Sequence, residues 1–298
     1  MTHAAHLTET RLSRLLTARD GPLSAPLQIT TLPGRSTFLV RTRERPFVVK
    51  WRPAPHPLVT IRAASHLMSA REVAHPAVRV PPTPADDHGW WLAVDWLDGT
   101  PLADAAAESW DAAQAASVGA GLAHWLKSLH TVRAGRGGWA DRAEGVLNVR
   151  LERCREAGLV GPALARRVTR RWEDLRPHLS GVRRTLVHRD LQSANIILDG
   201  HAVSGVIDFE QARVADPLYD LVKLTDWVFT RHQGIAPAFL AAYGVDVHAP
   251  AVEARLSCVF LLEYLAALRY FHRNGPPSLV TDHHAKLDRL LSDGIPLR

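Results

Sequence analysis

One stretch limits what this chain can fold into more than any other: "HRDLQSANIILDGHAVSGVIDFEQARVADPLYDL", residues 188–221. Asp190 and Asn195 stand five apart, and Asp208 follows Asn195 by thirteen. A buried strand would not choose a His, an Arg, two Asp and an Asn. A solvated loop would not need Val187, Ile196, Ile197 and Leu198 around them. The pattern fits polar groups held on an apolar support. The runs "NIIL" and "SGVIDF" predict a short hairpin that carries the second part of it.

The rest of the chain sets that stretch in an α+β frame. Early on, "LQITTL", "STFLVRT", "PFVVKW" and "WWLAVDWL" read as strands, each short, β-branched or aromatic, and bounded by Pro, Gly or charge. Residues 6–20, followed by Gly21, and residues 57–75 read as helices, and "VRVPPTPADDHG" reads as a proline-stiffened connection. Past about residue 103 the helical period dominates, over 109–132, 148–157, 162–179, 217–231, 235–243 and 251–273. A small antiparallel sheet lobe over 1–97 followed by a larger, mostly helical lobe over 98–298 is the expected organisation. At 298 residues the chain can build both cores.

Charge and cysteine usage exclude several classes. The net charge is +6, but basic residues are spread along the chain. Their densest region, 150–184, also holds Glu152, Glu156, Glu173 and Asp174. No aromatic-interleaved basic strand is present, so nucleic acid is not expected as a partner. Cys154 and Cys258 alone make no disulfide framework. No apolar leader opens the chain, and the longest apolar run, "VFLLEYLAAL", carries Glu263. A cytoplasmic protein without a membrane span is expected.

A phosphoryl transfer asks a protein for a base or orienter at the attacking hydroxyl and for oxygen ligands to Mg²⁺ at the nucleotide phosphates. Mg²⁺ takes hard oxygen donors, with one or two carboxylates from the protein. Asp190, Asn195 and Asp208 supply that set. An HRD followed after four residues by Asn, and then by an Asp-Phe dipeptide, is the catalytic signature of the protein-kinase-like fold. With "IDFE" in place of DFG and "DPLYDL" directly behind it, the chain resembles the aminoglycoside phosphotransferase and choline kinase superfamily. "LPGRSTFLVRT…PFVVKW" is similar to that family's first strands, "WLAVDWLDGTPL" to its hinge, and "LAHWLKSLH" to the helix before its insertion.

The resemblance implies a two-lobed kinase-like fold, an ATP or GTP co-substrate and Mg²⁺. It makes Asp190 the base or hydroxyl orienter, and Asn195 and Asp208 the metal ligands. It makes Lys50 the contact to the α- and β-phosphates, under a phosphate-covering loop with Ser36 and Thr37. The hinge backbone near Asp95 and Leu97 would hold the adenine edge, and Asp220 and His188 would brace the catalytic loop. Lys50 has support from composition as well. Only four of the 36 basic residues are lysine, and Lys50 is the only one in the first lobe. A compact ammonium at the end of an apolar strand suits a point-charge phosphate contact.

The chain departs from the pattern in places. A kinase lysine is held by a Glu on the following helix. Here the only acid of that segment is Glu72, near its end. It is either the partner of Lys50 or a solvated carboxylate, with His66 or no residue as the alternative. Arg189 stands where many small-molecule kinases of the family have Gly. Glu210 helps at the metal, contacts substrate, or pairs with an Arg. Only 211–215 separate "DFE" from "DPLYDL", which leaves no room for a peptide-binding activation segment. A small hydroxylated acceptor is therefore expected, with Asp226, Trp227, Glu263 and Tyr264 as candidate wall residues. An antibiotic is the implied acceptor. A metabolic kinase for choline, a sugar or an amino alcohol, and a non-catalytic binding module, are the alternatives.

Overall fold

The fold was read from a computed structural model, which describes residues 12, 14, 16, 28–32, 37–41, 45–85, 89–105, 107–136, 138–232 and 234–297. Contacts divide the chain elsewhere than at a single cut after residue 97. One compact unit takes Met1–Ala107 and Ser193–Arg213, and the other takes Glu108–Gln192 and Val214–Arg298. The return of 193–213 to the first unit has a backbone cause. Strand β9 (Ile196–Asp199) pairs with β10 (Ala202–Val206) as the expected hairpin, and on its other side with β6 (Thr100–Pro101).

The first unit is built on five antiparallel strands in the order β1-β2-β3-β5-β4. They are β1 (Gln28–Leu32), β2 (Thr37–Arg41), β3 (Phe47–Arg52), β4 (Val78–Pro84) and β5 (Trp90–Asp95). Strand β4 falls where a connection was expected. It is an edge strand, and Pro81, Pro82 and Pro84 are tolerated there because an edge leaves part of the ladder unpaired. Its register slips twice along β5. One sheet face presents Phe38, Val40, Val49, Trp51, Trp91 and Ala93, which cluster with Val80, Leu12 and Leu16. Helix α1 (His56–Ser69) packs against β3, β4 and β5. None of its buried residues, Leu58, Ile61, Ala64, Ser65 and Met68, joins that cluster. Burying Leu58 and Met68 completely contributes about 1.5–3 kcal/mol each.

The second unit is mainly helical. Helix α2 (Ala112–His130) starts with a capping box: Gln114 N–H donates to Asp111 Oδ1 at 2.8 Å, and Asp111 N–H to Gln114 Oε1 at 2.9 Å. Helices α3 (Trp139–Glu156), α4 (Pro162–Leu175), α5 (Tyr219–Leu224), α6 (Ile235–Tyr243), α7 (Pro250–Asn274) and α8 (Pro277–Ser292) follow. One wide π turn, Thr225–Phe229, continues α5. Strands β7 (Arg133–Arg136) and β8 (Arg183–Val187) form a second small sheet with β11 (Arg213–Ala215). Helix α3 begins well before the expected residue 148, and its first half buries Trp139, Ala143 and Leu147 at every fourth position between charged residues. Helix α8 was not anticipated at all. It buries only His283, Leu287 and Leu290, too sparse a stripe to stand out. No helix among the described residues is long and apolar enough to cross a membrane.

Helices α2 and α6 approach closely at Gly119. A Cβ built there would lie 2.5 Å from the Ile235 carbonyl oxygen. Gly119→Ala should therefore destabilise the protein by about 1–3 kcal/mol through overpacking, against the ~1 kcal/mol that Ala gains over Gly in a helix. Thermal unfolding of the variant measures the balance, and a raised Tm would contradict this packing.

Candidate functional site

Two polar constellations gather the candidate residues, one in each unit. In the first unit Lys50 and Arg52 stand two apart on β3 and share a face, opposite the core-facing Val49 and Trp51. Both are buried, at 9% and 7% exposure. The β9–β10 hairpin supplies their partners. The Ile207 N–H donates to the Asn195 carbonyl at 2.9 Å, so Asn195 and Asp208 sit at the open end of the hairpin. Gly205 forms a bulge at positive φ, where a Cβ would press 3.1 Å from Leu97 and 3.4 Å from the Ala74 carbonyl oxygen. Asp208 follows in a left-handed conformation, and Glu210 lies on the single helical turn Phe209–Gln211.

Four charges meet there. Lys50 Nζ donates to Asp208 Oδ1 at 2.8 Å and to Glu210 Oε1 at 3.1 Å. Arg52 grips the same Glu210 with two bonds, Nε to Oε2 at 2.9 Å and Nη2 to Oε1. Its remaining arm donates to the Trp51 carbonyl at 2.6 Å. Two cations and two carboxylates thus neutralise one another in a poorly solvated place.

In the second unit a buried carboxylate organises the loop after β8. Asp220, with no exposure, accepts the backbone N–H of His188 at 3.0 Å and of Arg189 at 2.6 Å. His130 Nε2 lies 3.0 Å from the same carboxylate, and its Nδ1 lies 2.7 Å from the Tyr243 hydroxyl. The ring thus bridges Asp220 and the Tyr243 hydroxyl through its two nitrogens. His188 Nδ1 accepts the Asp190 N–H at 3.1 Å, and Gln192 Nε2 donates to Asp190 Oδ2 at 3.3 Å. Asp216, also buried, takes two bonds from Arg255, at 2.9 and 2.6 Å.

Arg189 has φ +67°, a conformation that suits Gly. A non-Gly residue there costs about 1–2 kcal/mol. Its guanidinium is fixed in return: Nη2 donates to Glu263 at 3.0 Å, and the group lies 4.6 Å over the Tyr219 ring. Glu263 also has Arg150 at 3.7 Å and Lys223 at 3.8 Å. Burial alone would raise its pKa. The charges of Arg189, Lys223 and Arg150 outweigh that and hold the carboxyl down at about 2.

Several expectations are corrected. Glu72 does not hold Lys50. Helix α1 ends at Ser69, and Glu72 lies exposed in the following turn at φ +56°, while Lys50 pairs with Asp208 and Glu210. His66 is exposed and does not replace it. Glu210 is engaged by Lys50 and Arg52, so the expected pairing with an Arg is formed. Glu263 and Tyr264 are both engaged within the second unit. Glu263 anchors Arg189, and Tyr264 is buried with Asp226 beside its hydroxyl. Asp226 is itself paired with Lys286 at 3.3 Å. Trp227 is half-buried, with Arg231 5.4 Å from its ring centre. In the hinge, Asp95 N–H is already donated to the Ala77 carbonyl, and its carboxylate pairs with Arg79. Thr37 lies directly across from Lys50 in the β2–β3 ladder, and Ser36 is outside the described residues.

Reading the sequence missed Arg52, His130 and the Arg189–Glu263 pair. Arg52 was detectable, because the two-residue period of a strand puts it beside Lys50. Nothing local marks His130 or Glu263, which lie 90 and 74 residues from the groups they bind.

A sequence model of the group described as "Phosphotransferase enzyme family" matches residues 9–256. Among curated proteins, no sequence matches this chain. Solved structures do. A thermostable mutant of aminoglycoside phosphotransferase APH(4)-Ia, in ternary complex with AMP-PNP and hygromycin B, superposes with a TM-score of 0.74 at 17% identity, over 96% of this chain and 99% of that one. Wild-type aminoglycoside 2′-phosphotransferase-IIIa, as its GDP complex, gives 0.69 at 13%, over 96% and 99%. The gentamicin–APH(2″)-IIa complex gives 0.68 at 15%, over 96% and 97%. At these identities the likeness establishes the fold.

The depressed pKa of Glu263 has a sign. Its ionised form is favoured in the folded state, so its contribution is complete above pH about 4.5 and is lost as pH falls towards 2. Glu263→Gln should cost on the order of 3–5 kcal/mol at neutral pH, because it strands buried Arg189. The gap between variant and wild type should narrow below pH 4.5. Calorimetric unfolding across that range checks this, and a gap that widens on acidification contradicts it.

Proposed function

We propose that this chain, which belongs to the phosphotransferase enzyme family, transfers the γ-phosphoryl group of ATP or GTP to a hydroxyl of a small molecule, with an aminoglycoside-type antibiotic as the acceptor class. The observation that carries this reading is the Lys50–Asp208 pair. It brings a buried ammonium within 2.8 Å of a carboxylate 158 residues away, on the hairpin that also bears Asn195. A strand-borne cation beside an oxygen-donor set is what a nucleotide's phosphates require.

The acceptor class rests on two supports. Solved proteins of this fold are complexed with hygromycin B or gentamicin. The five residues 211–215 are also too few to shape a peptide platform. Nucleotide is favoured by the AMP-PNP and GDP complexes of the same fold. The Leu97 backbone N–H, unpaired among the described residues, suits a base edge. A nucleotide-dependent enzyme with two free cysteines fits the cytoplasm.

The residues divide the work as follows. The Asn195 amide oxygen and the Asp208 carboxylate are hard donors that fit Mg²⁺, which when bound draws negative charge from the phosphoryl oxygens. Lys50 neutralises the phosphates from the strand side. Asp190 orients the acceptor hydroxyl and takes its proton as the oxygen bonds to the γ-phosphorus. The bond from that phosphorus to the bridging oxygen breaks, and its electron pair leaves with the nucleoside diphosphate. Asp220 and His188 position Asp190 and do not touch the reacting atoms.

A coupled assay of diphosphate release, run with aminoglycosides, choline and amino sugars, tests this. Turnover with an aminoglycoside is expected. Asp190→Ala should lower kcat by about 10²- to 10⁴-fold with an unchanged circular dichroism spectrum. Release with choline alone would transfer the acceptor assignment to a metabolic alcohol. Unimpaired turnover in Asp190→Ala would overturn the mechanism.

A further inference from the structure

In the kinase arrangement a glutamate on the helix after the lysine strand holds the lysine. This chain has no such residue. Helix α1, "HPLVTIRAASHLMS", contains no acid, and Glu72 lies beyond its end. Yet Lys50 is buried, and a buried ammonium requires fixed partners.

We propose that Glu210 and Arg52 replace the helix glutamate as the positioning device for Lys50. Three observations carry this. Glu210 Oε1 is 3.1 Å from Lys50 Nζ. Arg52 holds both oxygens of that carboxylate, so its rotamer is set by a planar fork. Arg52 is itself fixed by its bond to the Trp51 carbonyl and by its place on β3, two residues from Lys50. The strand thereby carries both the lysine and the clamp on its anchor, and no helix has to move in to complete the pair.

The arrangement also divides labour between the two carboxylates. The Asp208 side chain is 35% exposed and that of Glu210 only 13%. Asp208 can turn outward while Glu210 keeps the ammonium in place. Without Glu210, two buried cations on one strand face would be left beside each other with Asp208 as their counter-charge. The inference takes Lys50 as the phosphate contact, as proposed above, but the anchoring itself is testable without nucleotide.

The experiment is acylation of the Lys50 amine with an N-hydroxysuccinimide ester, followed peptide by peptide by mass spectrometry on the ligand-free protein. The other three lysines serve as internal references. Glu210→Gln and Arg52→Met should each speed labelling of Lys50 at least fivefold. The double variant should label within twofold of the faster single, since both remove one device. Arg52→Lys keeps the charge but loses the fork, and should fall between wild type and Arg52→Met. In turnover assays the same variants should lower kcat/KM for the nucleotide at least tenfold and leave the acceptor KM within twofold.

Unchanged labelling in a folded Glu210→Gln protein would overturn the proposal, as would additive rates in the double variant. If Glu210→Gln does not fold, Arg52→Lys decides by the same labelling, and a wild-type rate there overturns it. A wild-type protein that phosphorylates no acceptor would defeat the functional reading while leaving the labelling result to judge the anchor.

Discussion

The carboxylate of Asp220 has no exposure and receives the backbone N–H groups of His188 and Arg189 together with a ring nitrogen of His130. Everything in the 188–192 loop depends on it. Two consecutive amides aimed at one anion fix the path of the backbone just where φ turns positive at Arg189. That turn orients Asp190, whose own N–H is then caught by His188. A neutral acceptor would hold the amides less tightly, because bonds to an ionised group are about twice as strong. The π turn that follows α5 leaves Asp220 undisturbed, one helical turn upstream.

The same constraint, that buried charge must be met by opposite charge, organises the other functional elements. Arg189 is held in an unfavourable conformation because Glu263 and Tyr219 engage its guanidinium. Glu263 stays ionised because three cations face it. In the first unit Lys50 and Arg52 share one strand face and are balanced by Asp208 and Glu210 from the hairpin. Each cluster joins segments far apart in the chain. Each is therefore a specification of tertiary structure as much as a source of stability.

Much of this was legible and some was not. The strands β2, β3 and β5 and the β9–β10 hairpin announced themselves by alternation and by β-branched content. The Asp190, Asn195 and Asp208 spacing marked the candidate functional stretch. Lys50 stood out through the scarcity of lysine, and it does lie beside Asp208. Strand β4 was hidden by its prolines, and an edge position makes them harmless. The first half of α3 and all of α8 were missed although each buries residues at helical spacing, Trp139, Ala143 and Leu147 in the one and His283, Leu287 and Leu290 in the other, because charged residues lie between them. Glu72 misled because a carboxylate near a helix end looks the same whether or not the helix reaches it.

What the sequence by itself determined is the inventory and the local order. It specified which residues could do phosphoryl chemistry, the short strands and the hairpin that bear them, and a chain of the phosphotransferase type. The inventory and the elements follow from spacing and periodicity, which are local properties, and the phosphotransferase type follows from the resemblance of the motifs. Only the tertiary structure decided the pairing. Glu210 and not Glu72 meets Lys50, Glu263 anchors Arg189, and His130 completes the shell of Asp220. The physical reason is that an ion pair is selected by distance and burial in space, and separations of 74 to 160 residues leave no trace of either in the local pattern.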